Sequence, residues 1–152
     1  MNSLAMILEN KVLIIAGLGW VTAGILKVII ELIINKKLSV SRLLGSGGMP
    51  SSHTSTVVSL VIAVGYDGGL NTVQFAIVVI FAIIVIHDAV GVRQETGKQA
   101  QILNQIMFDT SIFDDLDFEK RLKEYIGHTP FQVLVGAIVG VVVSTISIRI
   151  LY

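Results

Sequence analysis

Two long apolar runs constrain the fold of this chain more than any other feature of its sequence. Residues 12–34 carry only two charged side chains, Lys27 and Glu31, and residues 131–152 carry only Arg149. About 20 mostly apolar residues let an α-helix cross a bilayer, so each run is long enough to span a membrane. The chain is 53% hydrophobic and 14% charged, whereas an average soluble domain has roughly 25% charged residues. We therefore predict an integral membrane protein.

Two shorter apolar runs, residues 54–64 and 73–86, lie between the long ones. With their flanking residues they extend over 50–69 and 70–89, which is again enough to cross a bilayer. The predicted fold is all-α, a single membrane domain over residues 1–152 that forms a helical bundle with about four transmembrane spans.

The segment between the third and fourth predicted spans is polar. Within residues 96–108, apolar side chains recur at the spacing of one helix face: Ala100, Leu103, Ile106 and Met107. This pattern predicts an amphipathic helix that lies on the bilayer surface. The acidic stretch that follows, residues 109–119, is typical of a solvated loop.

The distribution of positive charge predicts how the bundle is oriented. If four spans alternate across the membrane, residues 35–49 and 90–130 share one face. Most of the 11 basic residues lie on that face: Lys36, Lys37, Arg42, Arg93, Lys98, Lys120, Arg121 and Lys123. Because cytoplasmic loops carry the excess of lysine and arginine, both segments are predicted to be cytoplasmic. Both termini are then predicted to lie on the outer side of the cell membrane.

Composition excludes several classes of function. The chain has no cysteine, which excludes a disulfide scaffold and a thiolate metal site. Its 11 basic and 11 acidic residues balance, so there is no net positive field to attract nucleic acid. The expected partner is the membrane bilayer, and no nucleic acid is expected.

Three polar groups interrupt the apolar sequence at the ends of the predicted spans. They cover residues 45–53, 87–93 and 127–133, and four alternating spans bring them to one membrane face. All three histidines of the chain lie in them: His53, His87 and His128. A single histidine is more often a structural hydrogen-bonding group, but polar groups at membrane depth usually mark a site. A His–Asp metal site is a competing interpretation, although no spacing typical of metal ligands is present.

The sequence around these groups suits a phosphate. Gly48 and the nearby glycines let a ligand approach the backbone closely, and Pro50 and Pro130 lie where helices begin. The free N–H groups of a helix N-terminus bind anions. The hydroxyls beside these N-termini either bond phosphate oxygens or only cap their helices: Ser51, Ser52 and Thr129. The glycine-rich loop lacks the Lys-Ser/Thr ending of a nucleotide-binding P-loop.

Two charged residues near these groups each have two interpretations. Lys27 either pairs with Glu31, four residues along the same helix face, or contacts the phosphate. Asp88 either orients a histidine or pairs with Arg93.

Three motifs resemble those of a known family, the divergent branch of the type 2 phosphatidic acid phosphatase superfamily. That branch is also labelled acid phosphatase/vanadium-dependent haloperoxidase-related. The motifs are Gly47-Gly48-Met49-Pro50-Ser51-Ser52-His53, Asp88-Ala89-Val90-Gly91-Val92-Arg93 and Gly127-His128-Thr129-Pro130. The resemblance covers nearly the whole chain, and it implies a membrane enzyme that acts on a phosphorylated lipid.

The resemblance also implies residue roles. His53 corresponds to the general acid of the superfamily and His128 to its nucleophile. Gln132 stands where the superfamily has an aspartate that orients the nucleophile, so Asp88 or another acid is expected to do this. The expected arginine position falls on Leu122, which makes Arg93 the better candidate. The implied catalytic residues are therefore His128, His53 and Asp88, and the implied substrate-binding residues are Arg42, Arg93, Lys27, Ser51, Ser52, Gly48 and Thr129.

The implied reaction is hydrolysis of a lipid phosphate through a phosphohistidine, with no metal and no cofactor. Phosphatidylglycerophosphate, a lipid made on the cytoplasmic leaflet, is the expected substrate. A polyprenyl phosphate or diphosphate is the alternative substrate. A non-enzymatic membrane protein that binds phosphate headgroups is the alternative from another functional class.

Glycines within the predicted spans allow close helix packing: Gly17, Gly24, Gly136 and Gly140. Such packing serves either a homo-oligomer or contacts within one chain.

Overall fold

The computed structural model describes residues 3–36, 48–108, 122, 124 and 127–152, and the described part contains six α-helices. They are α1 (Ser3–Leu8), α2 (Lys11–Asn35), α3 (Ser52–Gly68), α4 (Val73–Val90), α5 (Val92–Phe108) and α6 (Pro130–Leu151). No strand occurs in these ranges. The predicted all-α membrane bundle is confirmed.

Three helical stretches are long and apolar enough to cross a membrane: Lys11–Asn35, Val73–Phe108 and Pro130–Leu151. The second stretch joins α4 and α5, which are separated only by Gly91. The helix α3 matches the remaining predicted span but is shorter, with 17 residues, and it carries several hydroxyl side chains. It packs against α2, α4 and α6, which makes it the central helix of the bundle.

Small residues let α3 occupy the centre. Ser55 donates a hydrogen bond to the Gly19 carbonyl of α2 at 2.9 Å, and Ser59 donates to the Gly140 carbonyl of α6 at 3.1 Å. A Cβ at Gly136 would lie 2.6 Å from the Ser51 carbonyl oxygen, closer than real Cβ atoms approach. Only glycine therefore permits the observed distance between α3 and α6.

For two of the four glycines predicted to allow close helix packing, the packing is a contact within one chain. Gly136 and Gly140 are buried against α3 within the same chain. Gly24 is also buried, whereas Gly17 is exposed with no neighbour near its missing Cβ. The glycine that the sequence analysis missed is Gly19, which packs directly against Ser59.

The helix directions place the chemistry-bearing segments at one end of the bundle. At the other end, the Tyr152 hydroxyl donates to Asp67 at 2.5 Å, and the Lys11 ammonium lies 4.2 Å from the centre of the Tyr152 ring. These contacts join the C-terminal ends of α3 and α6 to the N-terminal end of α2. The N-terminal ends of α3 and α6 consequently meet at the opposite end, beside the C-terminal end of α4.

The amphipathic helix α5 begins at Val92, four residues earlier than predicted. Its buried side is formed by Gly97, Ala100 and Asn104, whereas Leu103 and Ile106 are exposed. The predicted apolar face therefore has its larger side chains on the outside, where a bilayer surface would meet them. The predicted solvated loop, residues 109–119, lies outside the described residues.

Asn104 ties α5 to the chain before α6. Its amide oxygen accepts from the Leu122 backbone N–H at 2.7 Å, and its amide nitrogen donates to the Leu122 carbonyl at 2.8 Å. The same nitrogen donates to a Glu124 carboxylate oxygen at 2.8 Å. Asn104 is almost completely buried, so these bonds satisfy its polar atoms and fix residues 122 and 124 against α5.

Candidate functional site

The three polar groups that the sequence places at one membrane face come together in the structure. The backbone N–H of His128 donates to the Ala89 carbonyl at 3.0 Å, and that of Ser51 donates to the Gln132 carbonyl at 3.2 Å. Gly127 has φ +101°, and a Cβ there would lie 2.6 Å from the backbone nitrogen of Gln94. Backbone contacts therefore join the start of α3, the end of α4, the start of α5 and the start of α6.

His128 is buried at this junction, with 4% of its surface exposed. Its Nδ1 lies 3.1 Å from Oε1 of Gln132, and the same oxygen accepts from the Thr129 backbone N–H at 3.2 Å. Because an amide oxygen only accepts, Nδ1 must carry the proton of a neutral imidazole. In that tautomer the lone pair is on Nε2, so Nε2 is the nitrogen that can act as a nucleophile.

Burial lowers the pKa of the His128 imidazole below its usual 6.5. The hydrogen bond to Gln132 opposes this shift, the charges of Lys27 and His53 add to it, and the Gly48 carbonyl near the ring opposes it again. The net direction is downward, so His128 is neutral at neutral pH.

His53 lies in the first turn of α3 and is exposed. It interacts electrostatically with Arg93, Lys27 and Asp88, as well as with His128. The structure thus brings together the two histidines to which the resemblance assigns chemistry, with two cations beside them.

Asp88 binds Arg93 rather than a histidine. Its Oδ2 lies 2.5 Å from the Arg93 Nε, in a pair that is partly exposed to solvent. The resemblance implies an acid that orients His128, but in the structure the neutral Gln132 makes that contact. Gln132 can take the place of the expected acid because it lies four residues after His128 and its side chain reaches Nδ1.

Lys27 is buried near the site, with 4% of its surface exposed. Its methylene groups line the backbone at Gly48, where an added Cβ would lie 3.6 Å from them. Gly48 has φ +82°, a conformation that favours glycine. Arg42, the other basic candidate, lies outside the described residues.

Two of the three candidate hydroxyls cap helices. The Ser51 oxygen accepts from the Thr54 backbone N–H at 3.3 Å, and the Thr129 oxygen accepts from the Gln132 backbone N–H at 3.3 Å. The Ser52 hydroxyl is buried and has no hydrogen-bond partner among the described residues. It is therefore the hydroxyl that remains available for a further hydrogen bond.

A cavity of about 260 Å³ adjoins His128, and α5 forms one of its walls. The sequence motifs do not indicate this contribution, although Gln94 and Gln101 are seven residues apart and so share a helix face. Neither His53 nor His87 lines this cavity. The exposed His87 faces a different surface, with Ile83, Ile86 and Val90. The full lining is Gly48, Gln94, Gly97, Lys98, Gln101, Glu124, Gly127, His128, Thr129 and Gln132.

The metal-site interpretation has no cluster to support it in the described ranges, where no three His, Asp or Glu side chains come together as ligands. Asp88, which interacts electrostatically with His53, is paired with Arg93.

Comparison with known proteins agrees with the motifs. Residues 8–143 match the Divergent PAP2 family. The chain is also 35% identical over 150 residues to a Bacillus subtilis (strain 168) protein named "Uncharacterized membrane protein YuiD", and the match covers 92% of this chain and 95% of that one. No solved structure matches the chain. On the strength of the match and of the apolar helices, this chain is an integral membrane protein and belongs to the Divergent PAP2 family.

Proposed function

We propose that the protein is a membrane lipid phosphatase that works through a phosphohistidine on His128. The observation that carries the proposal is the state of that side chain: buried, with Nδ1 fixed on Gln132 at 3.1 Å and with Lys27 and His53 close enough to affect its charge. A neutral imidazole held in one tautomer is a competent nucleophile, and nearby cations stabilise the charge of a phosphoryl group.

The proposed reaction has two steps. In the first, Nε2 of His128 forms a bond to phosphorus, the bond from phosphorus to the lipid oxygen breaks, and that oxygen takes a proton from protonated His53. In the second, His53 takes a proton from water, the water oxygen bonds to phosphorus, and the P–N bond breaks to release inorganic phosphate. Each step leaves His53 ready for the next proton transfer.

The remaining site residues have supporting roles in this proposal. Arg93, oriented by Asp88, and Lys27 hold the equatorial oxygens of the phosphoryl group, together with Arg42. Ser52 and the backbone at Gly48 are further candidates for contact with the phosphate. Ser51 acts by capping α3, which carries His53, and Thr129 by capping α6, which carries Gln132.

We propose phosphatidylglycerophosphate as the substrate and a cytoplasmic position for the site. The orientation follows from the excess of basic residues on the face that carries the histidines. A reporter fused after Tyr152 is then expected outside the cytoplasm, and a cytoplasmic signal from that fusion would contradict the orientation.

The direct test is release of inorganic phosphate from phosphatidylglycerophosphate by the purified protein in detergent, with EDTA present. We expect release that EDTA does not abolish. Loss of release on adding EDTA would instead indicate a metal-dependent reaction. Hydrolysis of polyprenyl phosphate but not of phosphatidylglycerophosphate would agree with the mechanism and identify a different substrate. Binding of lipid without hydrolysis of either would favour a non-enzymatic headgroup-binding protein.

The pH dependence of kcat/KM should follow the protonation of His128. Because burial lowers its pKa below 6.5, the neutral nucleophile persists as the pH falls, and the acid limb of the profile is expected below pH 6.5. Gln132→Glu places a negative charge beside Nδ1, which favours the imidazolium and raises the pKa by about one unit or more. The acid limb of this variant should therefore move to higher pH.

Gln132→Leu is the control for this prediction, since it removes the acceptor without adding charge. It should lower kcat/KM about 100-fold by freeing the ring and its tautomer, without the upward shift of the acid limb. An identical pH profile for the wild type and Gln132→Glu would show that His128 does not control the acid limb.

A further inference from the structure

The cavity beside His128 is larger than a phosphate group needs. Its volume is about 260 Å³, whereas a water molecule occupies roughly 30 Å³ in the liquid. There is consequently room for a phosphate and several further non-hydrogen atoms. One wall of the cavity carries His128, Thr129 and Gln132, and another wall is α5.

The α5 wall is polar and includes a gap. Gln94, Gly97 and Gln101 are three and four residues apart, so they lie on one helix face, and all three line the cavity. Gly97 has no side chain and leaves open the space between the two glutamines. A side-chain amide both donates and accepts hydrogen bonds, which matches a hydroxyl group, because a hydroxyl also does both.

The charges around the cavity do not favour a second phosphate bonded directly to the first, as in a diphosphate. Lys98 lies in the lining but is paired with Glu95 at 2.6 Å. Glu124 adds a carboxylate, which Asn104 holds in place at 2.8 Å. A carboxylate repels a further anion but accepts a hydrogen bond from a hydroxyl. The lining therefore suits a neutral group that carries hydroxyls.

We propose that this cavity is a subsite for a glycerol unit attached to the phosphate, and that Gln94 and Gln101 are its specificity-determining residues. The proposal rests on the phosphatase function proposed above and names its substrate class. A glycerol unit presents a hydroxyl to the amides, whereas the group next to the phosphate of a polyprenyl phosphate is hydrocarbon. The subsite thus selects lipid phosphates whose phosphate-bearing glycerol keeps a free hydroxyl, such as phosphatidylglycerophosphate, over polyprenyl phosphates and diphosphates.

Two small ligands test the subsite without a lipid chain. Glycerol 3-phosphate and propyl phosphate have the same number of carbons, but only the former has hydroxyls. Their affinities are measured by calorimetry on the full chain in detergent, in a His53→Ala background that slows turnover while leaving the cavity lining intact. Inorganic phosphate serves as the third ligand.

We expect glycerol 3-phosphate to bind about 10-fold more tightly than propyl phosphate, as two hydrogen bonds would allow. Gln94→Leu with Gln101→Leu should bring this ratio close to 1 and leave the affinity for inorganic phosphate within about twofold. Each single substitution should lower the ratio about threefold, which keeps the test available if the double variant does not fold. The matched control is Gln99→Leu, which is exposed on the opposite side of the same helix and outside the cavity lining, and it should leave the ratio unchanged.

Equal binding of the two ligands in the otherwise unsubstituted protein, or a ratio that the double variant retains, would overturn the subsite. Equal loss of affinity for all three ligands in the double variant would also overturn it, since that result indicates structural damage. The proposed function is tested separately. Lipid phosphate hydrolysis without a preference for glycerol 3-phosphate refutes only the subsite, whereas the preference without any hydrolysis refutes the phosphatase and retains the subsite.

Discussion

His128→Ala should lower phosphate release from phosphatidylglycerophosphate on the order of 1,000-fold or more, and His53→Ala on the order of 100-fold or more. The difference reflects the two roles. Removal of a nucleophile abolishes the covalent route, whereas removal of a general acid leaves that route open to slower proton transfer from water. Both rates are measured with purified proteins in the same detergent at neutral pH.

The third histidine provides the matched control for these variants. His87 is exposed on a surface formed by Ile83, Ile86 and Val90, away from the cavity beside His128. His87→Ala should therefore retain activity within about twofold. A loss at His87 as large as that at His128 would contradict the assignment, and so would full activity in His128→Ala.

The second large effect is expected at the contact between α3 and α6. Added Cβ atoms at Gly136 and Gly140 would lie 2.6 Å from the Ser51 carbonyl oxygen and 2.7 Å from the Ser55 carbonyl oxygen. Both neighbours are backbone atoms, so the helices must move apart. The double variant Gly136→Ala/Gly140→Ala should lower the free energy of unfolding by about 3 kcal/mol or more. In a chain of this size that corresponds to a fall in the melting temperature of about 6–12 °C.

The same displacement should lower activity, because the Ser51–Gln132 backbone bond crosses this contact and Gln132 holds His128. Gly17→Ala is the control, since its Cβ would meet no atom within 4 Å. Alanine favours helix more than glycine does, so this variant should be as stable as the wild type or slightly more stable. A double variant as stable as Gly17→Ala would contradict the packing described here.

The sequence predicts the helices well because apolar length is a direct signal. Residues 12–34 and 131–152 correspond closely to α2 and α6, and the shorter runs correspond to α3 and α4. The pattern could not reveal that α3 is the central helix. Its position depends on Ser55 and Ser59, which satisfy their hydroxyls on carbonyls of neighbouring helices, and sequence spacing does not report such contacts.

The candidate site was predictable in part. The motifs located His53, His128 and Arg93, which the fold brings close together. The contact of Gln132 with His128 is not predicted, because the resemblance implies a carboxylate at this position. The structure shows that the amide oxygen of Gln132 lies where it can accept the same hydrogen bond. The contribution of α5 was missed because its polar face carries no motif and is recognised only once the helix is seen beside the cavity.

The central claim is that His128 carries the phosphoryl group, and the sharpest measurement is a search for that adduct. The His53→Ala variant is mixed with p-nitrophenyl phosphate, whose leaving group departs without a general acid, and the reaction is quenched in alkali. Because this variant also lacks the base that activates water, the intermediate should accumulate. Mass spectrometry should then find one phosphoryl group on the peptide that contains His128. Release of p-nitrophenol with no phosphoryl group on His128 would contradict the mechanism.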